Sequence, residues 1–491
     1  MNVAKNETQG EWALPDGWLW TTIGEVAETT SGGTPLRKHP EYYGGSIPWI
    51  KSGELEGEVI ISSEEFITEE GLSSSSARIF PKGTPVVALY GATVGKTGIL
   101  GLDAATNQAI CAIFALHNAF TAKFITYWLK YRRSELIELS VGGAQPNISQ
   151  RIIRAFPFPL APLPEQHRIV AEIETQFTRL DAGVAALERA QVNLRRYKAS
   201  VLKAACEGRL VPTEASLAHA EGRDYEPADQ LLARILAERR ARWEAEHPGK
   251  RYKGPVSPDT EDMPELPEGW EWATVEQIGK VRLGRQRSPK YHQGPNMRPY
   301  LRAANATWDG ADLSDVKEMD FPPEIWDNYR LQKNDILLAE ASGSPNEVGK
   351  PFIWREEIPE CGFQNTLIRV RLFSLSPEFV YVHFLTDALT GRFGEVARGI
   401  SIQHLGAARL SRFVIAFPPL PEQRRIVAEV ERRLSVVAVL EASVVAALAR
   451  ARRLRQAVLK QAFEGRLVPQ HLDDEPASVL LERIRAEREG K

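Results

Sequence analysis

Four segments of this chain occur twice. LPDGWLWTTIGEV at 14–26 returns as LPEGWEWATVEQI at 266–278, an offset of 252. LPEQHRIVAE at 163–172 returns as LPEQRRIVAE at 420–429 with nine of ten residues identical, and EGRLVP at 207–212 returns at 464–469, both at an offset of 257. EPADQLLARILAER from Glu226 matches EPASVLLERIRAER from Glu475 at 249. The constant offset from 163 to 212 means that no residue was gained or lost across that block. Loops absorb insertions, but one extra residue in a long helix rotates everything beyond it by about 100°. The block therefore reads as a helix whose length and phase matter. Between the shared tryptophan segment and the shared PLPEQ the halves have little in common, so two variable units are held by two near-identical ones. The period is too long for stacked solenoid repeats.

After the prolines of PLPEQ, apolar residues recur every seven positions. One column holds Val170, Phe177, Val184 and Ala205, interrupted by Gln191 and Lys198; the other holds Ile173, Leu180, Leu187, Leu194 and Val201. The second copy has Val427, Leu434, Leu448 and Ala462, interrupted by Glu441 and Arg455, beside Val430, Val437, Val444, Ala451 and Val458. Heptads sustained this long predict a coiled coil, with polar residues in the seam fixing register. The spacing predicts helices over 166–206 and 423–463, each stopped by a glycine, Gly208 or Gly465. The first would be roughly 60 Å long at about 1.5 Å per residue. Two matched helices in one chain pair economically with each other, and a homodimeric coiled coil is the alternative. Leu231, Leu232, Ile235 and Leu236, and later Leu480, Leu481 and Ile484, predict a shorter amphipathic helix after each.

Each variable unit alternates short strand-like runs with Gly, Ser and Pro clusters and then a helix, near 124–139 and 377–388. That pattern predicts an α+β unit with a curved sheet and helices at one end. From Lys280 to Trp308 seven residues are basic (Lys280, Arg282, Arg285, Arg287, Lys290, Arg298, Arg302) and none is acidic, with Tyr291, His292 and Asn296 interleaved. Arginine and lysine clamp phosphates or read guanine, Asn reads adenine, and Tyr stacks. The run is either a nucleic-acid face or a basic loop paired with nearby acids. The first unit has Arg37, Lys38, His39, Tyr42, Tyr43 and Lys51, diluted by Glu41 and Glu54. YGATVGKTG at 90–98 and SGSPNEVGKP at 342–351 both end in Val-Gly-Lys, each followed by an Asn/Gln pair (Asn107-Gln108, Gln364-Asn365). Three residues separate Gly91 from Gly95 where a phosphate-binding P-loop needs four, so the expectation is a glycine hairpin carrying Lys96 or Lys350 toward a ligand.

A net charge of −3 excludes a simple polycation, so any nucleic-acid binding must use local basic surfaces. The 3 cysteines, Cys111, Cys206 and Cys361, are scattered and never in a CxxC pair, which argues against a disulfide framework or zinc ribbon and fits a reducing cytoplasm. The N-terminus has no signal-peptide pattern. The longest apolar stretch, 434–449, is broken by Glu441 and followed by Arg450, so no membrane span is expected. No GxSxG, HExxH or metal-ligand spacing appears, and the chain is expected to be non-catalytic and metal-free.

The paired blocks APLPEQHRIVAEIE and PPLPEQRRIVAEVE, the two VLKxAxEGRLV helix ends, the GWxWxxxGE segment, SGGTPxxxxxEYYGGxIPWIKSGEL and the GATVGK hairpin closely resemble the specificity subunit of type I restriction–modification enzymes. The resemblance covers nearly the whole chain; the second unit departs from it in lacking GGTP and IPWI. It implies two target-recognition domains at 1–164 and 265–421 and conserved spacers at 165–264 and 422–491, the first spacer carrying its amphipathic helix at 226–246. Two similar α/β domains would be separated by two long antiparallel coiled-coil helices in a pseudo-two-fold arrangement. The expected partners are double-stranded DNA, two methyltransferase subunits and two translocase/nuclease subunits, with S-adenosylmethionine, ATP and Mg²⁺ held by those subunits. The sixteen residues that would meet DNA are Arg37, Lys38, His39, Tyr42, Tyr43, Lys51, Lys96, Arg285, Arg287, Lys290, Tyr291, His292, Asn296, Arg298, Arg302 and Lys350. Dissimilar variable units imply an asymmetric bipartite target whose spacing the helices set, so four added residues should widen the spacer. A self-contained DNA methyltransferase or nuclease, and a coiled-coil scaffold with sugar- or protein-binding heads, are the alternatives.

Overall fold

A computed structural model describes residues 12–55, 59–140, 147–342, 348–397 and 403–489. The chain divides into two compact units, Met1–Glu188 with Val445–Lys491, and Arg189–Val444. Each contains one variable head and part of each of two 44-residue helices, Leu163–Cys206 and Leu420–Phe463.

In the first unit, strand Leu19–Thr22 pairs antiparallel with Pro157–Leu160, the strand that runs into the first long helix. The head proper is two sheets rather than one curved sheet. A five-stranded sheet has the order Ala27–Ser31, Ile110–Ala115, Pro85–Ala88, Thr97–Leu100, Val59–Ile60. A four-stranded sheet has the order Glu65–Ile67, Tyr43–Ile50, Ala104–Thr106, Ile79–Phe80. The helical stretch of the head breaks at Arg132 into Ala122–Tyr131 and Arg133–Glu138.

The second unit repeats this plan. Glu271–Thr274 pairs with Val414–Phe417, which runs into the second long helix. One sheet orders Gly279–Leu283, Leu367–Leu372, Ile336–Ala339, Pro351–Ile353, and the other Lys317–Asp320, Met297–Leu301, Gly362–Phe363. Helix Pro377–Leu389 completes the head.

The long helices pack antiparallel. In the first unit Ile169, Ile173 and Phe177, near the start of one helix, share a core with Val458, Leu459, Ala462 and Phe463 at the end of the other. In the second unit Val201, Leu202 and Ala205 share a core with Ile426 and Val430. One heptad column, Val430, Val437, Val444, Ala451 and Val458, is buried throughout at 2–8 % exposure. Arg455, which interrupts the other column, lies over the Phe177 ring and forms an ion pair with Asp181 on the opposite helix, so its charge is compensated across the seam. By length and mean hydropathy (1.9 over 18 residues) Leu420–Phe463 would pass for a membrane span, although no strictly apolar run of that length exists. The valines and leucines of a coiled-coil seam raise the average without making the helix apolar all round.

The repeated sequence ends dock as they should if each copy has one job. After Gly208 and Gly465, both at φ +66, the chain leaves the helix and reaches a second, shorter helix: Ala228–Glu246 in the second unit and Ala477–Glu489 in the first. The Ala228 amide donates to Gly269 and the Ala477 amide to Gly17, the glycine of each GW pair. An extra short helix, Glu214–Glu221, which no repeat signals, follows the first long helix in the second unit.

Candidate nucleic-acid interface

The Glu-Gln of each LPEQ block fixes its head to its rod. Glu165, 1 % exposed, accepts a 2.9 Å bond from the Trp18 indole, and Glu422, fully buried, accepts one of 2.9 Å from Trp270. Burial pushes both carboxyls up, offset in part by these bonds. The Glu422 carboxylate also accepts the Glu214 amide at 2.7 Å, whereas Glu165 Oε1 has no partner among the described residues. The neighbouring glutamines work on the head helix. Gln166 accepts the Thr121 amide and donates to Ala119 and Ala161; Gln423 accepts the Ser376 amide and donates to Pro418. Thr121 and Ser376 are the N-caps of the head helices, so one side chain ties cap to rod in each unit. Sequence flagged these residues by their recurrence, but their partners lie 147 and 152 positions away.

The first head gathers most of its candidate residues beside Trp49. Arg37 lies over the rings of Tyr43 and Trp49 at 4.5 and 5.1 Å and pairs with Glu65 at 2.9 Å. Lys51 donates to Glu64 and Glu65, which hold its ammonium above its ordinary range against a smaller effect of burial. His39 stacks on Tyr42 and bonds Glu41 at 2.8 Å, while the Tyr43 hydroxyl donates to the Pro35 carbonyl. Lys38 is exposed. Acids thus meet Arg37, His39 and Lys51, the dilution that Glu41 announces in the sequence and that Glu64 and Glu65 deepen through folding. The glycine pair before them is steric: a Cβ on Gly32 would lie 2.0 Å from the Thr106 carbonyl, and one on Gly33 2.3 Å from Ala77.

Lys96 stands apart on the other sheet, where Pro85–Ala88 and Thr97–Leu100 form the expected hairpin. The Ala88 amide donates to Lys96, and Gly95, at φ +70, donates back to Ala88. Ala339, Gly349 and Lys350 repeat this pair of bonds in the second head. The Lys350 ammonium sits 5.0 Å from the Trp308 ring centre. Residues 343–347 of the second glycine-rich motif lie outside the described residues.

In the second head Gly284 matches Gly32, its Cβ position 2.1 Å from the Gln364 carbonyl, but Arg285 stands where the first head has Gly33. Arg285 is 5 % exposed, stacks 3.9 Å from the Tyr291 ring and donates to the Asp320 carbonyl. It holds the 285–292 loop from inside. Lys290, also over Tyr291, and Arg287, which donates to His292 at 3.1 Å, are exposed on that loop. The Asn296 amide donates to Asp320. Arg298 lies over Trp326 and pairs with Glu360, and Arg302 pairs with Asp315. The basic run therefore splits into a buried brace, two paired arginines, an exposed group of Arg287, Lys290 and His292 around the half-buried Tyr291, and the strand residues Lys280 and Arg282.

A type I restriction–modification DNA specificity domain model matches residues 15–188 and 267–433, each span opening at a GW segment and closing inside a long helix. The chain belongs to this family. It is similar to the EcoKI specificity subunit of Escherichia coli K12, 23% identical with 97% of this chain and 96% of the relative covered. It is also similar to the MjaIX specificity subunit of Methanocaldococcus jannaschii, 30% identical over 34% of this chain and 39% of the relative. The fold resembles a chain from a structure on assembly and conformational transition of the type I restriction–modification system (TM-score 0.66, 20% identity, 93% of this chain and 100% of the other). It also resembles the HsdS subunit of Thermoanaerobacter tengcongensis (TM-score 0.54, 20% identity, 94% and 100%). Specificity-family membership accounts for the repeated blocks and for heads that share a plan but not a surface.

Proposed function

We propose that this chain is the DNA-recognition subunit of a type I restriction–modification complex, reading an asymmetric bipartite site and directing adenine methylation or restriction by partner subunits. The observation that carries this is the contrast between two near-identical Trp–Glu/Gln clamps and the two unlike surfaces they hold. In the first head Arg37 and Lys51 converge on Glu65; in the second Arg287 and Lys290 stand on a loop braced by Arg285. Different side chains facing a groove read different bases, so the half-sites differ.

The long helices act as spacers. Each is roughly 66 Å long at about 1.5 Å per residue, against roughly 34 Å for a turn of B-DNA. Two methyltransferase and two translocase/nuclease subunits complete the complex in the cytoplasm, and S-adenosylmethionine, ATP and Mg²⁺ belong to them. This chain supplies recognition, not catalysis.

The test is methyl transfer by the chain reconstituted with its methyltransferase subunits, mapped on random-sequence duplexes. Methylation confined to a split site with unequal halves is expected. Turnover by the chain alone, or no preference among DNA sequences, would contradict the proposal.

A further inference from the structure

Pairing between strands Gly279–Leu283 and Leu367–Leu372 assembles a cation cluster that no contiguous segment contains. Lys280 stands opposite Arg371 and Arg282 opposite Arg369, on successive rungs of one face. Direct cross-strand neighbours have Cβ atoms about 5 Å apart, and like charges placed so are destabilising. Two such rungs are unusual without a compensating anion. Asp335 supplies one, bonding Arg371 twice at 2.7 Å. Three cations remain. Arg369 is 1 % exposed, its Nη1 donates to the Arg330 carbonyl at 2.9 Å, and its Nε is buried with no partner among the described residues. Lys280 and Arg282 make no ion pair among the described residues; Lys280 is exposed and Arg282 half-buried beside Tyr329. Burial and the neighbouring Arg371 and Arg282 bring the Arg369 guanidinium down to about 10, and burial with Arg282, Arg369 and Arg371 lowers Lys280, with Glu246 a weaker opposing charge. At about 10 the Arg369 guanidinium stays charged at neutral pH.

We propose that the Lys280–Arg371 and Arg282–Arg369 rungs form a phosphate-binding ladder that grips the DNA backbone beside the second half-site. This rests on the reading of the chain as a DNA-recognition subunit. A row of cations two residues apart along a strand, roughly 7 Å, suits a polyanion better than a single small anion. An anion laid across it meets Lys280 and Arg282 at the surface and relieves the like-charge repulsion of both rungs, the buried Arg369 acting through its charge alone. The site contributes affinity and orientation without base choice.

The test uses the full chain with its methyltransferase subunits, K280Q/R282Q as the variant, and fluorescence anisotropy on target and scrambled duplexes of about 40 base pairs across a salt series. Arg369 and Arg371 stay intact because the first is buried and the second braces Asp335. Each lost phosphate contact lowers the slope of log affinity against log salt by about 0.9. The slope should therefore fall by one to two, affinity for both duplexes should drop together, and their ratio should hold within about two-fold. An equal fall in K250Q/R251Q, a charge-matched pair on an exposed loop, would overturn the ladder in favour of bulk charge. An unchanged slope would overturn it, as would an unchanged slope with weakened subunit assembly, which would make the cluster a partner-protein contact. A wild-type complex without target preference would remove the underlying reading and the ladder with it.

Discussion

Glu165 and Glu422 occupy matching positions but are not equally satisfied. Glu422 accepts two donors, Trp270 and the Glu214 amide, while Glu165 accepts one. Glu422→Gln turns an amide donor toward the Glu214 N–H or forfeits the Trp270 bond, a loss of about 1–3 kcal/mol; Glu165→Gln keeps its single bond and costs less. Chemical denaturation of both variants checks the order, and equal losses would contradict it. The pH dependence has a definite sign. A carboxyl raised above 4.5 in the folded chain binds its proton more tightly there than in the unfolded chain, so stability falls as pH rises from 4.5 through the folded value. The melting temperature of E165Q relative to wild type should accordingly improve as pH rises from 4.5 through the folded value, and a constant gap would argue against a buried carboxylate. Burial pushes the thiols of Cys111 and Cys361 up to about 12, so iodoacetamide at mildly alkaline pH should label them in urea and spare them in the folded chain. Labelling at equal rates would show these cores to be open.

At the scale of elements, the duplication and the heptads are legible in the sequence because both are local: a constant offset and a seven-residue period need no knowledge of the fold. The pairing of the helices within one chain, and the hairpins carrying Lys96 and Lys350, follow from the same kind of signal. What the sequence hides depends on strand pairing and packing. Arg285 reads as part of a DNA-facing run, yet it fills the position of Gly33 and braces its loop. Arg369 and Arg371 carry no signal until register sets them opposite Arg282 and Lys280. Phase in the rods can be tested directly. Phe177→Ala removes a ring that packs on Tyr127 and Arg455, and should cost about 3–5 kcal/mol in chemical denaturation. A loss below about 1 kcal/mol would mean that the seam is not a packed core at this level.

At the scale of the whole molecule, each head should be a replaceable reader on a conserved clamp. The blocks at 14–26 and 266–278 and the LPEQ blocks at 163 and 420 mark where one head can be exchanged for another without disturbing Trp18–Glu165 or Trp270–Glu422. Spacing should follow the rods: a heptad added at matching levels of both long helices preserves the seam and lengthens each by about 10 Å, so the gap between half-sites should grow by about three base pairs with both half-sites unchanged. The most direct measurement is single-molecule mapping of methylated bases for a variant whose second head, 267–419, is replaced by the first, 15–162. Two identical half-sites in inverted orientation, each equal to the half read by the first head, are predicted; retention of the original asymmetric target would contradict the claim that the heads choose the bases.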